Sequence, residues 1–191
     1  MSIRRYNPLC PLSGVRMLFT VAILCFISAE AACAQAGSGD ITPPDGQVKL
    51  FSAQGKGVQI YISKAKEAGK FEWVLKEPKA KLYDHNGKEF GRHYKGPAWE
   101  AKDHSKVLAK KIKQSASPES TAIPWLLLES TDHTGSQHGL LSKVAYIQRI
   151  DTTGGVSPTE APKRAGIQKR VSYTATYVFW GAAPDGTTGG H

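Results

Sequence analysis

The chain has 191 residues, 25 of them basic and 16 acidic, a net charge of +9, and three cysteines. That length supports one domain with a sizeable core, while Cys10, Cys25 and Cys33 are too few and too N-terminal for a disulfide framework. The positive balance suits anionic lipid, polysaccharide or nucleic acid, but no nucleic-acid motif accompanies it and none is expected as a partner.

Residues 1–36 have the order of a secretory signal peptide. Arg4, Arg5 and Arg16 precede the apolar, uncharged run 17–29 (MLFTVAILCFISA), and Ala31, Ala32, Ala34 and Ala36 follow. The run is too short to span a bilayer comfortably. Cleavage is expected after Ala34 or Ala36, leaving an exported protein, periplasmic or secreted, with no transmembrane segment after processing. Lipid attachment at Cys33 is the competing outcome, but Glu30 stands where such sites carry an aliphatic residue. The leader takes all three cysteines with it, which leaves no thiol nucleophile and no thiolate metal site. It also takes three of the 25 basic and one of the 16 acidic residues, so 22 and 15 remain and the mature charge is +7.

A flexible linker is expected over 37–44, and Pro43-Pro44-Asp45-Gly46 opens a single domain over 45–180. Residues 57–63 (GVQIYIS) alternate, with Val58, Ile60 and Ile62 on one face. Residues 63–68 allow one short helical turn. Phe71, Trp73 and Leu75 repeat at spacing two. Ala80 and Leu82 share a face of the next strand, which ends in the tight turn Asp84-His85-Asn86-Gly87 and returns antiparallel over 88–94. After the turn Asp103-His104-Ser105, residues 106–114 fit a strand better than a basic helix. The run 123–128 (IPWLLL) suits a strand buried on both faces. Residues 140–150 alternate, with Val144, Tyr146, Gln148 and Ile150 opposite Ala145, Ile147 and Arg149. Residues 152–166 form the longest loop. In 171–179, Val171, Tyr173, Ala175, Tyr177 and Phe179 face one way. Residues 181–191 are a Gly-rich tail without core residues, expected to be disordered. The result is an all-β fold, an antiparallel β-barrel or β-sandwich of about eight to ten strands with little helix outside the leader.

A set of motifs occurs in one order: GVQIY at 57–61, FEW at 71–73, P-x-A-x-L-Y-D at 78–84, G-x-H-Y-x-G-P-x-W-E at 91–100, D-x-S-x-V at 103–107, IPWLLL at 123–128, Y-I-Q-R-I-D-T-x-G-G at 146–155 and Y-x-A-x-Y-x-F at 173–179. Together they resemble the secreted bacterial and fungal domain-of-unknown-function family 3455, over roughly residues 45–180. The resemblance implies one exported all-β domain and brings no mechanism. Some fungal members are labelled malate dehydrogenase, but this chain has no G-x-G-x-x-G after a strand and no βαβ alternation. Two departures stand out. Ile62-Ser63 replaces the Cys usual after GVQIY, and His104 replaces the Gly usual in the Asp-Gly-Ser turn, where positive φ favours glycine.

The histidines bound the possible chemistry. His85, His104, His133 and His138 fall in expected turns, and no metal site or cofactor is expected. His93 is the best single candidate for catalysis, with Glu100 or Asp103 as a partner, in a hydrolase or isomerase. Its structural alternative is a strand histidine donating to a backbone carbonyl. No Ser-His-Asp set assembles, so the chain leans away from being an enzyme. The kink at Gly96-Pro97 can display Tyr94, Trp99 and Glu100 at a barrel mouth. Arg149 needs a carboxylate or carbonyl partner, with Asp151 or Glu100 as candidates, or serves as an anion clamp. The leading expectation is an exported, non-catalytic β-domain that binds a small molecule or glycan through Tyr94, Trp99, Glu100 and Arg149. The alternatives are the His93 enzyme and a basic structural or adhesive protein that meets an anionic envelope surface.

Overall fold

The computed structural model describes residues 40–183. The expected leader with its three cysteines, the start of the expected linker and residues 184–191 of the expected tail lie outside the described residues. Eight strands form one antiparallel sheet that closes into a barrel in chain order. They are β1 (Gln47–Ala65), β2 (Phe71–Tyr83), β3 (Glu89–Tyr94), β4 (Ala98–Ala101), β5 (Ser105–Ser115), β6 (Trp125–Gly135), β7 (Tyr146–Gly154) and β8 (Gln168–Ala182). Each strand pairs with its sequence neighbours, and β8 closes the ring on β1. The helical turn expected near 63–68 is a 3-10 turn at Glu67–Gly69. Among the described residues no helix is long and apolar enough to cross a membrane.

Closure decides which side of each strand is inside. On β8 the sequence alternation carries straight through, with Tyr173, Ala175, Tyr177 and Phe179 all buried and facing in. On β1 the apolar set Val58, Ile60 and Ile62 faces outward. Its inner side carries Gly55, Gly57, Gln59 and Tyr61, of which Gly55 lies opposite Ala175 and Gly57 opposite Tyr173. Small residues are needed there, because an eight-stranded barrel is only wide enough for its own side chains or one small ligand. The Tyr177 ring leans on Gly55, where a Cβ would come within 2.5 Å of a ring carbon.

Both ends are dressed by loops. At the lower end, residues 140–145 are not part of a strand, contrary to the alternation expected over 140–150. Successive turns, Ser142 N–H to the Gly139 carbonyl (3.1 Å) and Val144 N–H to that of Leu141 (3.3 Å), curl this stretch. Leu141 and Val144 thereby join the core. The β4–β5 turn beside it keeps its positive φ with His104 in place of glycine (φ 66°). At the upper end the loop after β7 is tied to inner side chains. The Tyr61 hydroxyl donates to the Gly155 carbonyl (2.7 Å), the Ser63 hydroxyl to the Arg164 carbonyl (2.7 Å) and the Trp73 indole N–H to the Glu160 carbonyl (2.8 Å).

Of the run 123–128, expected as a strand buried on both faces, only residues from Trp125 on are strand; Ile123, Leu127 and Leu128 are buried and Pro124, Trp125 and Leu126 partly so. Leu126 and Leu128 face in. Leu127, fully buried, faces out beside Gln148, whose amide donates to the Ile41 carbonyl (2.9 Å) of the N-terminal segment on that face.

The wall is incomplete at one place. β3 has six residues and β4 four, against 13 in β2 and 11 in β5. The upper part of β2 therefore pairs only with β1, and β5 beyond Ala109 only with β6. A notch opens above the β3–β4 turn at residues 95–97. Its two free edges carry Lys76, Lys110, Lys111 and Lys113, charges that deter strand addition.

Candidate functional site

The notch leads into a cavity of about 370 Å³ lined by Gln59, His93, Trp99, Leu126, Leu128, Arg149 and Tyr177, with Leu75, Lys76, Glu77, Pro78, Lys95, Gly96 and Pro97 at its rim. The inner residues come from β1, β3, β4, β6, β7 and β8, so the site exists only when the ring is closed. Gly96, with φ 147°, and Pro97 turn the chain sharply at the mouth, where the sequence places a bend.

An aromatic cluster forms one wall. His93 lies opposite Trp99 on paired strands and the rings stack at 4.3 Å and 16°. Tyr177 meets Trp99 edge-on at 5.6 Å and His93 at 5.3 Å. His93 is 3 % exposed and its Nδ1 lies 2.9 Å from the Ala98 carbonyl. Only a protonated Nδ1 can donate to a carbonyl, so the neutral ring keeps a lone pair on Nε2. Burial, the larger cause, and the nearby Arg149 cation push the His93 pKa down to about 3. His93 is thus an uncharged aromatic wall at neutral pH.

Arg149 is the one charged side chain among the inner residues lining this cavity. It stands between Leu126 and Tyr177 in the register and is partly buried. Its Nη2 and Nε donate to a single acceptor, the Pro124 carbonyl, at 2.7 and 3.3 Å. Neither expected carboxylate partner reaches it. Asp151 sits at φ 49° in the irregularity between Ile150 and Thr153 and is exposed, and Glu100 is on the outer face. Burial pushes the phenols of Tyr61, Tyr173 and Tyr177 upward, so the tyrosines around Arg149 supply no negative charge. Two further polar atoms in the cavity wall lack partners: Gln59 Oε1 and Trp99 Nε1, in side chains that are each 1 % exposed.

The four residues expected to bind together are split by the sheet. Trp99 and Arg149 face the cavity. Tyr94 and Glu100 face outward, where the Tyr94 hydroxyl donates to Glu100 Oε2 (2.6 Å) and Arg92 Nη2 to Oε1 (2.9 Å). Arg92 and Lys106 lie over the Tyr94 ring at 5.3 and 5.4 Å. The Tyr94 hydroxyl first, then Arg92, hold the Glu100 carboxyl below its ordinary range. Asp103 is also held low, chiefly by the Ser105 hydroxyl at 2.6 Å. It accepts the Ser105 and Leu140 N–H groups as well. His93, Glu100 and Asp103 therefore do not form a constellation.

His133, expected in a turn, lies within β6 and its Nε2 contacts the Val144 carbonyl at 2.9 Å. Among the described residues no group of three or more His, Cys, Asp or Glu side chains is placed to hold a metal ion. Sequence reasoning missed Gln59 and Tyr177 as site residues. The available signal was an interrupted pattern, in which one polar amide sits among glycine and tyrosine on the alternate side of an apolar strand.

The fold and cavity define a small closed meander barrel with a cavity that opens at a notch in its wall. Over residues 43–181 the chain matches the family described as "Protein of unknown function (DUF3455)", and it belongs to that family. No curated protein and no solved structure matches it.

Proposed function

We propose that the chain is an exported, non-catalytic barrel that binds a small molecule in its interior cavity, with Trp99 and Arg149 as the principal contacts. The observation that carries this reading is the chamber itself: aromatic walls, a few convergent polar groups and an entrance, at the lower end of the volume range of ligand pockets (~300–1,000 Å³). A volume of this size suits a compact ligand better than a glycan chain. The leader pattern in residues 1–36 supports the exported half of the reading. The features that would favour an enzyme using His93 are a free imidazole facing a carboxylate of raised pKa. Here the imidazole is neutral and bonded to backbone, and both carboxylates are held low.

A second reading has its own observation. An outer groove of about 690 Å³ is lined by Lys56, Lys79, Lys81, Arg92 and Arg170, which suits an anionic envelope surface. Lys81 and Arg92 are already paired with Glu89 and Glu100, so less of this charge is free than the residue count implies.

Native mass spectrometry of the protein exported by its own host tests the first reading and also gives the mature mass. A retained small molecule that is lost in Trp99→Ala is the expected result. An empty protein that also shows no thermal shift with any of a panel of aromatic compounds, at about a hundredfold excess over a useful Kd, would remove the reading; a bound ligand should raise Tm by several degrees.

A further inference from the structure

We infer that the ligand of the cavity is a carboxylate attached to an apolar body, held by Arg149. This inference rests on the small-molecule reading above and narrows it to a chemical class. Arg149 presents five N–H donors and uses two atoms, Nε and Nη2, on one carbonyl oxygen. Among the described residues Nη1 has no protein partner, and no carboxylate pairs with this guanidinium. A cation facing a cavity with aromatic walls and no counter-ion is an incomplete ion pair.

The geometry selects the anion. A guanidinium fork with free N–H groups on one side matches the two oxygens of one carboxylate. A phosphate dianion would need further cationic partners, and Arg149 is the one interior cation in the cavity wall. Gln59 Oε1 and Trp99 Nε1 belong to the same lining and are unpaired and enclosed; of the two only the indole N–H is a donor suited to an anion. The rest of the chamber is apolar or aromatic: Leu126 and Leu128 on one side, the stacked His93 and Trp99 rings on another. The His93 and Trp99 faces lie against each other and are 3 % and 1 % exposed, so the lining selects an apolar body and not a particular ring shape. At the entrance Lys76 and Lys95 outnumber Glu77, which suits the approach of an anion.

Isothermal titration of the full chain with 2-naphthoate, its neutral analogue 2-naphthamide and 2-naphthyl phosphate tests the assignment. The acid should bind at least tenfold more tightly than the amide and than the phosphate. Arg149→Met should erase the acid's advantage while amide binding survives, which also shows that the variant is folded. Equal affinity of acid and amide in the unaltered protein, or an advantage that persists in Arg149→Met, overturns the anion assignment and leaves the small-molecule reading standing. Tighter binding of the phosphate overturns the carboxylate in particular. Binding of none of the three overturns the apolar-acid inference. The small-molecule reading then falls only if the native mass spectrum is also empty.

Discussion

A histidine stacked on tryptophan and closed off from water makes folding answer to acid. In the unfolded chain His93 titrates near its ordinary value of 6.5, whereas in the barrel its pKa is about 3. Between these values the unfolded state binds a proton that the folded state refuses. Stability from this residue is therefore intact above about pH 6.5 and declines as pH falls toward 3, by roughly 5 kcal/mol across the window. A typical domain has ~5–15 kcal/mol in total, so the effect is large. The depressed carboxyls of Glu100 and Asp103 add a loss of the same sign, because their contribution holds above the unfolded carboxylate range and goes as pH falls through it. A difference measurement separates the two. In His93→Gln, whose amide can still donate to the Ala98 carbonyl, urea midpoints should fall less steeply from pH 6 to pH 4, by about one proton or ~1.4 kcal/mol per pH unit. Parallel slopes for the two proteins would show that His93 does not carry the acid response.

Elements are joined here by side chains that satisfy another segment's backbone. Asp103, at the end of the β4–β5 turn, accepts from the Ser105 N–H and hydroxyl and from the Leu140 N–H, while the Ser105 hydroxyl accepts from Leu141 N–H. This is what fastens the curled segment 136–145 to the lower end and keeps Leu141 and Val144 in the core. Asp103→Ala should cost about 2–3 kcal/mol and speed hydrogen exchange at the Leu140 and Leu141 amides while central β8 amides stay protected. Uniform acceleration across the barrel would mean the segment is not separately tied. The same region shows what the sequence could tell and where it stopped. Alternation in β8 and the apolar run in β6 were legible because each carries its own pattern. Residues 140–145 also alternate, yet Asp103, 37 positions away, decides their course. In β1 the period was legible and its sign was not, since Val58, Ile60 and Ile62 became the inner side only if hydrophobicity alone chose the face. Ring closure put Gly57 and Gln59 inside instead, because the tyrosines of β8 already fill that space. Trp99, Tyr94 and Glu100 all flank one bend, and only the pairing of β3 with β4 assigns Trp99 to the cavity and the other two to the opposite face; Arg149, on β7, was legible as an inward residue from its alternation with Ala145 and Ile147.

Charge acts through the molecule as a whole. The chain carries 25 basic and 16 acidic residues. Lys76 and Lys95 stand at the cavity rim, and Lys111, opposite Leu128 on β5, shares the inner-face side of the notch. An anion nearing the entrance therefore moves through a favourable potential before it touches Arg149. Such a field acts on encounter more than on escape, because the contacts that hold the bound acid lie inside, where ions in solution screen them little. The binding kinetics of 2-naphthoate, followed by tryptophan fluorescence with Trp99 in the cavity wall, should divide accordingly. Raising salt from about 10 to about 300 mM shortens the screening length from roughly 30 Å to less than 10 Å and should slow association several-fold, up to about tenfold. Dissociation should change by less than about twofold. The amide carries no charge, so its association rate should hold constant across the same series. If the acid's association rate ignores salt, or the amide's falls with it, the positive rim is not guiding the ligand. Arg149 would then act only after arrival, as a clamp inside a chamber that anions reach without help from the field.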